Sequence, residues 1–146
     1  MQALIIRQGA EVGCDVEQRD SSVRGRQIAQ RYFSDSEVEE LFQHSAADQA
    51  HAFFDYWSLK ESFIKAKGLG LALPLGSFSF SIQQRPIAFA TDDSLNETPE
   101  DWFFQLLDVG DAHAAAYAVE GLEKPVLSGW AYHVSGELSE IKLQPR

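Results

Sequence analysis

Two acidic side chains lie close together near the start of the chain, in the segment Gly13-Cys14-Asp15-Val16-Glu17. Side chains alternate along a β-strand, so Asp15 and Glu17 are predicted to share one face while Cys14 and Val16 point into the core. Neighbouring carboxylates repel each other unless water screens them or a cation lies between them. For an isolated pair, a solvated strand face is the commoner arrangement, and a cation site is the alternative.

A second group of charged residues follows in Trp57-Ser58-Leu59-Lys60-Glu61-Ser62-Phe63-Ile64-Lys65. Glu61 and Lys65 are at positions i and i+4, so they share one face of a helix, where the ordinary interpretation is a surface ion pair. Lys60 is predicted to cover apolar surface with its aliphatic stem while its ammonium group reaches water. Trp57 taken alone is predicted to be a core residue. Each of these residues by itself therefore favours a structural role.

The composition predicts a globular protein that needs local positive charge to hold an anion. The 146 residues are 45% hydrophobic and 23% charged, which suits one soluble domain with its own core. The net charge of −10 gives no overall attraction for nucleic acid. No run approaches the ~20 apolar residues of a membrane span, and the N-terminal residues do not resemble a signal peptide. With Cys14 as the single cysteine, we expect a cytoplasmic protein without nucleic-acid or membrane binding.

Hydrophobic periodicity predicts the elements that must position these residues. Apolar side chains at 52, 56, 59, 63 and 66 recur at helical spacing and predict a long helix over 49–67, ended by Gly68 and Gly70. Earlier helices are predicted over 23–33 and from the N-cap Ser34, with Glu37 completing a capping box, through Phe42. Strands are predicted over 3–7, 12–18, 77–82, 87–90, 102–107, 114–119 and 127–133. This order predicts an α+β fold, an antiparallel sheet with helices packed on one face.

The combination of motifs is more specific than any one of them. A G-x-D-x-E strand followed by W-x-x-K-E-x-x-x-K on a long helix resembles the surfactin-synthetase type of 4′-phosphopantetheinyl transferase. The segments Arg31-Tyr32-Phe33-Ser34 and Leu73-Pro74-Leu75-Gly76-Ser77-Phe78-Ser79-Phe80 resemble further elements of that family. The resemblance is strong over 12–80 and weaker to about 119. It implies that residues 1–146 form a single 4′-phosphopantetheinyl transferase-like domain, corresponding to the second, metal-binding half of the two-domain family.

The resemblance also implies a reaction, the magnesium-dependent transfer of 4′-phosphopantetheine from coenzyme A to a serine of an acyl or peptidyl carrier protein. Magnesium prefers oxygen ligands, and by resemblance these would be Asp15, Glu17 and Glu61. Either Glu61 or a water held by the metal would accept the serine proton. Lys65 would be both a catalytic and a cofactor-binding residue, since it would meet the phosphate charge on the leaving side. Lys60 matches the motif as a second cofactor-binding position.

The family's typical architecture leaves several interpretations open. Its members are about twice this length, with two similar halves that enclose coenzyme A, and this chain contains no N-x-S-H-S-type segment. The chain could be one half of a longer protein that needs its N-terminal half. It could instead be a short form that self-associates, most simply as a dimer and otherwise as a trimer. Two other functions remain alternatives: a non-catalytic module that binds a carrier protein, and a carboxylate–magnesium enzyme acting on another phosphorylated substrate.

Overall fold

The computed structural model describes residues 1–121, 125–132 and 137–146. The first strand is β1 (Val12–Gln18), which three helices follow: α1 (Gly25–Tyr32), α2 (Asp35–Gln43) and α3 (Ala46–Lys67). The strands that follow α3 are β2 (Phe78–Ser81), β3 (Ala88–Thr91), β4 (Trp102–Leu107), β5 (His113–Glu120), β6 (Gly129–Tyr132) and β7 (Leu138–Ile141). The predicted α+β class is thereby confirmed. Among the described residues, no helix is both long and apolar enough to cross a lipid bilayer.

Two sequence predictions near the chain ends differ from the structure. Residues 3–7 form no strand. The apolar side chains of Leu4 and Ile6 are exposed, so an alternating pattern gains no stabilisation from burial there. The predicted strand over 127–133 corresponds to β6, and its last residue, His133, lies outside the described residues. Strand β7, which pairs with β6, was not predicted. Hydrophobic alternation alone was therefore a weak guide at both ends of the chain.

The central sheet has the order β1-β5-β4, and all of its pairings are antiparallel. Its middle strand β5 is rich in alanine, and Ala114, Ala116 and Ala118 are buried. Helix α3 contacts β1 and β5, while α1 and α2 pack against α3. Strands β2 and β3 form a separate hairpin. Because alanine side chains are small, α3 can lie close to the sheet along its whole central strand.

Helix α3 supplies the centre of the hydrophobic core. The hydroxyl of its N-cap Ser45 accepts a hydrogen bond from the Asp48 amide, and the helix ends at Gly68 in the left-handed conformation. Phe63 is fully buried, and its ring centroid lies 4.9 Å from those of both Phe78 and Trp102. Aromatic side chains from α3, the β2–β3 hairpin and β4 therefore form one cluster, and the predicted inner stripe of α3 is confirmed.

Gly13 allows β1 to approach α3 closely. A Cβ atom added at Gly13 would lie 2.1 Å from the carbonyl oxygen of Ser62 and 2.5 Å from the amide nitrogen of Ala66. Both contacts are with helix backbone, which cannot move aside as a flexible side chain can. The glycine therefore sets the distance between the strand that carries Asp15 and the helix that carries Glu61.

We expect Gly13→Ala to lower the free energy of unfolding by about 1–3 kcal/mol or more, since the added methyl group must push β1 away from α3. Chemical denaturation of the purified variant measures this loss. Gly76→Ala is the matched control, because a Cβ there would meet its nearest atom, the Tyr32 carbonyl oxygen, at an ordinary 3.6 Å. Equal stability of the two variants would contradict the close approach at Gly13.

Candidate functional site

Strand β1 and helix α3 bring four of the predicted site residues together. Asp15 is buried, with 4% of its surface exposed, and one of its oxygens, Oδ1, accepts a 2.6 Å hydrogen bond from Lys65 Nζ. The Lys65 side chain is 50% exposed. Glu17 and Glu61 are half-buried and close enough to Asp15 for its charge to perturb both of them. The structure therefore assembles three carboxylates and one lysine where the β1 strand meets α3.

The prediction that Asp15 and Glu17 share one face of β1 was correct, but the prediction that Cys14 and Val16 point into the core was wrong. Asp15 faces the interior, whereas Cys14 and Val16 are half-exposed and line a cleft beside the N-terminal residues. The reason is the close approach of α3 at Gly13, which lies on the same strand face as Asp15. The acidic face is therefore the one covered by the helix.

Mutual repulsion and burial raise the pKa values of the two glutamates. For Glu61, burial raises the pKa most, the charge of Asp15 raises it further, and Lys65 offsets only part of this. For Glu17, burial and then Asp15 raise the pKa, while a hydrogen bond from Trp57 lowers it. Burial alone would lower the pKa of Lys65, but its hydrogen bond to Asp15 and the surrounding negative charge raise it overall. The cluster thus carries more negative charge than its single lysine neutralises.

One atom of the cluster has no partner among the described residues. Asp15 Oδ2 is buried and receives no hydrogen bond from residues 1–121, 125–132 or 137–146, although a buried carboxylate oxygen ordinarily has one. As the side chains stand, no three His, Cys, Asp or Glu residues within the described parts of the chain converge as a closed metal-ligand set. Chemically, the arrangement offers a cation one buried oxygen flanked by two partly accessible glutamates.

Trp57 has a role that the sequence analysis missed. Its ring is half-buried and stacks on Phe33 with centroids 6.4 Å apart, and it lies close enough to Glu17 to lower the pKa of that carboxyl. The signal was present in the spacing, because positions 57, 61 and 65 follow one another at i, i+4 and i+8 on one helix face. Trp57 therefore links the aromatic core to the acidic cluster.

Lys60 does not join the site, and two expectations for it are corrected. Its ammonium group is completely buried and does not reach water. It pairs with Glu37 at 2.8 Å and donates to the carbonyl oxygens of Leu75 and Phe78. These three partners use all three donors of the ammonium group, so none is open to a cofactor phosphate. The pair instead ties α2 and α3 to the start of β2.

The capping box at the start of α2 is confirmed, but its glutamate does more than cap the helix. Ser34 and Glu37 form the reciprocal hydrogen bonds that were predicted. Glu37 also accepts a hydrogen bond from the Phe80 amide on β2. Because Glu37 is fully buried and bonded on several sides, the pair it forms with Lys60 is a structural feature of the interior.

A second charged cluster at the other end of β1 was also missed by the sequence analysis. Arg19 pairs with Asp55 of α3 at 2.8 Å, and Arg146 pairs with the other oxygen of the same carboxylate. Arg19 also donates to the carbonyl oxygens of Asp111 and His113 beside the β4–β5 turn. These contacts join strand, helix, turn and C-terminal residues, which are far apart in sequence. We interpret this cluster as structural.

Glu61→Gln is expected to stabilise the fold slightly in buffer without divalent cations. The folded-state pKa of Glu61 is raised, so the folded protein favours the protonated form of this side chain. Glu61 therefore contributes to the stability of the fold below the ordinary glutamate pKa, and this contribution is lost as pH rises through the folded-state pKa. Removing the charge should therefore raise the free energy of unfolding near pH 7 by about 0.5 kcal/mol at this partly exposed position, which is measured as a higher melting temperature. The gain should disappear near pH 4. Glu39→Gln on the exposed face of α2 is the control, and an equal gain there would indicate a general charge effect.

Comparison with known proteins matches most of this chain to one described family. Residues 11–118 match the family described as ACPS, the 4′-phosphopantetheinyl transferase superfamily. The chain is similar to 4′-phosphopantetheinyl transferase Sfp of Bacillus subtilis (strain 168), with 41% identity over 73 residues that cover 50% of this chain and 32% of that protein. It is also similar to the L-aminoadipate-semialdehyde dehydrogenase-phosphopantetheinyl transferase of Mus musculus, with 26% identity, covering 90% of this chain and 47% of that protein.

The solved structure of Thermotoga maritima holo-[acyl-carrier-protein] synthase (AcpS) has a similar fold. The two superimpose with a TM-score of 0.60 and 17% identity, over 92% of this chain and 84% of that one. At this identity, the likeness establishes a shared fold. The chain spans less than half the length of the two curated relatives named above.

Proposed function

Because the chain belongs to the 4′-phosphopantetheinyl transferase superfamily, we propose that it transfers 4′-phosphopantetheine from coenzyme A to a serine of an acyl or peptidyl carrier protein. The observation that carries this proposal is the cluster of Asp15, Glu17, Glu61 and Lys65, formed by the two motifs that resemble the family. Lys60 is not part of the proposed site, since its three donors are used by Glu37, Leu75 and Phe78 inside the protein.

The residues of the cluster suit a magnesium ion. Asp15 Oδ2 is buried without a partner in the described part of the chain, and a hard cation is a suitable partner for such an oxygen. Glu17 and Glu61 add oxygen ligands from β1 and α3, and a bound cation would relieve the repulsion that raises their pKa values. We therefore propose Asp15, Glu17 and Glu61 as the ligands. When bound, magnesium would neutralise the pyrophosphate of coenzyme A.

In the reaction we propose, the carrier serine oxygen attacks the phosphorus next to pantetheine. The bond between that phosphorus and the bridging oxygen breaks, and adenosine 3′,5′-bisphosphate leaves. Glu61, half-buried on α3 beside Asp15, would accept the serine proton; a water held at the cluster is the alternative acceptor. Lys65, half-exposed beside Asp15, would stabilise the charge that develops on the departing phosphate.

We further propose that this domain corresponds to the second half of the two-domain members of the family. The match that spans 90% of this chain covers 47% of the Mus musculus relative, which supports a requirement for a second half or a second copy in a complete coenzyme A site. A pair of copies related by a two-fold axis is the commonest way for a soluble chain to provide one. Light scattering at micromolar concentration tests self-association.

The deciding experiment is mass spectrometry of an apo-carrier protein incubated with this chain, coenzyme A and Mg²⁺. We expect the carrier to gain one 4′-phosphopantetheine group on serine, and to gain none when EDTA is present. Acyl and peptidyl carriers should be tested separately. If the chain alone is inactive, the same assay is repeated after adding an N-terminal half taken from a two-domain relative.

The outcomes separate the competing functions. Modification by the chain alone supports a complete enzyme, and modification only with the added half supports a half-site. If neither mixture modifies any carrier although the folded chain binds one, the domain is a non-catalytic carrier-binding module. That result would overturn the proposed activity.

A further inference from the structure

We propose that Lys65 is an internal counter-ion of Asp15 that a divalent cation must displace, so that metal binding releases Lys65 toward the substrate. This inference rests on the proposed metal site and adds a second function for Lys65. Before metal binds, the lysine would neutralise the buried carboxylate. After metal binds, the same lysine would be free to meet a phosphate.

The geometry at Asp15 supports competition between the two cations. Lys65 Nζ lies 2.6 Å from Asp15 Oδ1, and no described residue donates a hydrogen bond to the buried Oδ2 of the same carboxylate. A cation that binds Oδ2 would lie close to the ammonium group across one small carboxylate, where two positive charges repel strongly. The Asp15 side chain is held in the interior at 3% exposure. Of the two partners, the lysine is therefore the one that can move.

Lys65 has both the freedom and the direction for such a movement. Its side chain is half exposed, whereas that of Asp15 is almost fully enclosed. The charged groups that surround it are Asp15 and Glu61, with the thiol of Cys14 adjacent. A metal bound by Asp15 and Glu61 would cancel the attraction of both carboxylates at once. The lysine would then turn toward solvent, where an incoming phosphate is the strongest new partner.

Lys67 provides a matched comparison on the same helix. Its ammonium group pairs with Glu11 at 2.7 Å and Glu97 at 2.6 Å, and neither glutamate belongs to the cluster. Replacing Lys65 or Lys67 with methionine changes the net charge equally and keeps a long side chain. Only the first change removes the competitor from Asp15.

The test is isothermal titration calorimetry of the full chain with Mg²⁺ alone. We expect Lys65→Met to bind Mg²⁺ about three- to tenfold more tightly than the wild-type chain, while Lys67→Met changes the affinity less than twofold. Should Lys65→Met be poorly folded without metal, the rise of its melting temperature with Mg²⁺ concentration gives the same affinity. That rise should exceed the wild-type rise.

A second measurement distinguishes displacement from simple repulsion. An amine-reactive reagent followed by peptide mass spectrometry should modify Lys65 faster in the presence of Mg²⁺, with no change at Lys67. Tighter binding by Lys65→Met with an unchanged modification rate would overturn the displacement. Equal affinities of Lys65→Met and Lys67→Met would overturn the competition. If no variant bound Mg²⁺, the metal site of the proposed function would itself be wrong, and this inference with it.

Discussion

Replacing Glu61 with glutamine is expected to lower transferase turnover by about a hundredfold or more in the active assembly, while the protein stays folded. The substitution keeps the size of the side chain but removes a proposed metal ligand and proton acceptor. General acid–base catalysis by one positioned side chain typically contributes about 10²–10⁴ to the rate. Turnover is measured by mass spectrometry of the carrier protein at saturating coenzyme A and Mg²⁺.

The stability of Glu61→Gln distinguishes a role of Glu61 in the reaction from a role in supporting the fold. A residue that only supports the fold should lose activity and stability together when it is changed. Glu61→Gln is instead expected to lose activity while gaining a little stability without metal, since the folded protein raises the pKa of Glu61. Glu39→Gln on the exposed side of α2 should retain normal turnover. Normal turnover by folded Glu61→Gln would show that our assignment of this residue is mistaken.

Phe63→Ala is expected to lower the free energy of unfolding by about 3–5 kcal/mol, which is a large part of the stability of a domain of this size. The ring is fully buried and contacts aromatic residues on three other elements. Its centroid lies 5.0 Å from that of Phe89 and 6.1 Å from that of Phe104. Truncation would leave a cavity lined by rigid rings that cannot collapse to fill it. Urea denaturation followed by circular dichroism measures the loss.

Phe42→Ala is the control for this second prediction. Phe42 lies on α2, is only half-buried, and packs beneath the guanidinium group of Arg26 at 4.2 Å. Its loss should lower the free energy of unfolding by about 1 kcal/mol, in the range of ordinary substitutions. Comparable losses in the two variants would mean that the aromatic cluster around Phe63 is not the centre of the core.

Both predictions concern helix α3, which serves the core and the site with different faces. Phe63 points toward the β2–β3 hairpin and β4, while Glu61 and Lys65 point toward β1. Ser58 and Ser62, which are fully buried, are small enough to let the helix lie close to the sheet. The position of the acidic cluster therefore depends on the packing of the core. Changes at Gly13 are expected to disturb the cluster without touching any of its charged groups.

Local sequence signals were sufficient to predict most elements of this fold. The capping box at Ser34 and Glu37, the end of α3 at Gly68, and the spacing of apolar residues depend on interactions within a few residues. The two acidic motifs were likewise recognised from their order and spacing. Such features can be predicted because neighbours in the chain are necessarily neighbours in space.

Only the tertiary structure decided which partners the charged residues have. Periodicity showed that Asp15 and Glu17 share a face, but the approach of α3 at Gly13 decided that this face is covered. Helical spacing paired Lys65 with Glu61, yet Lys65 binds Asp15, fifty positions earlier in the chain. Lys60 likewise binds Glu37 in the interior. A charge selects its partner by distance and burial, and both are set by packing between segments that are remote in sequence.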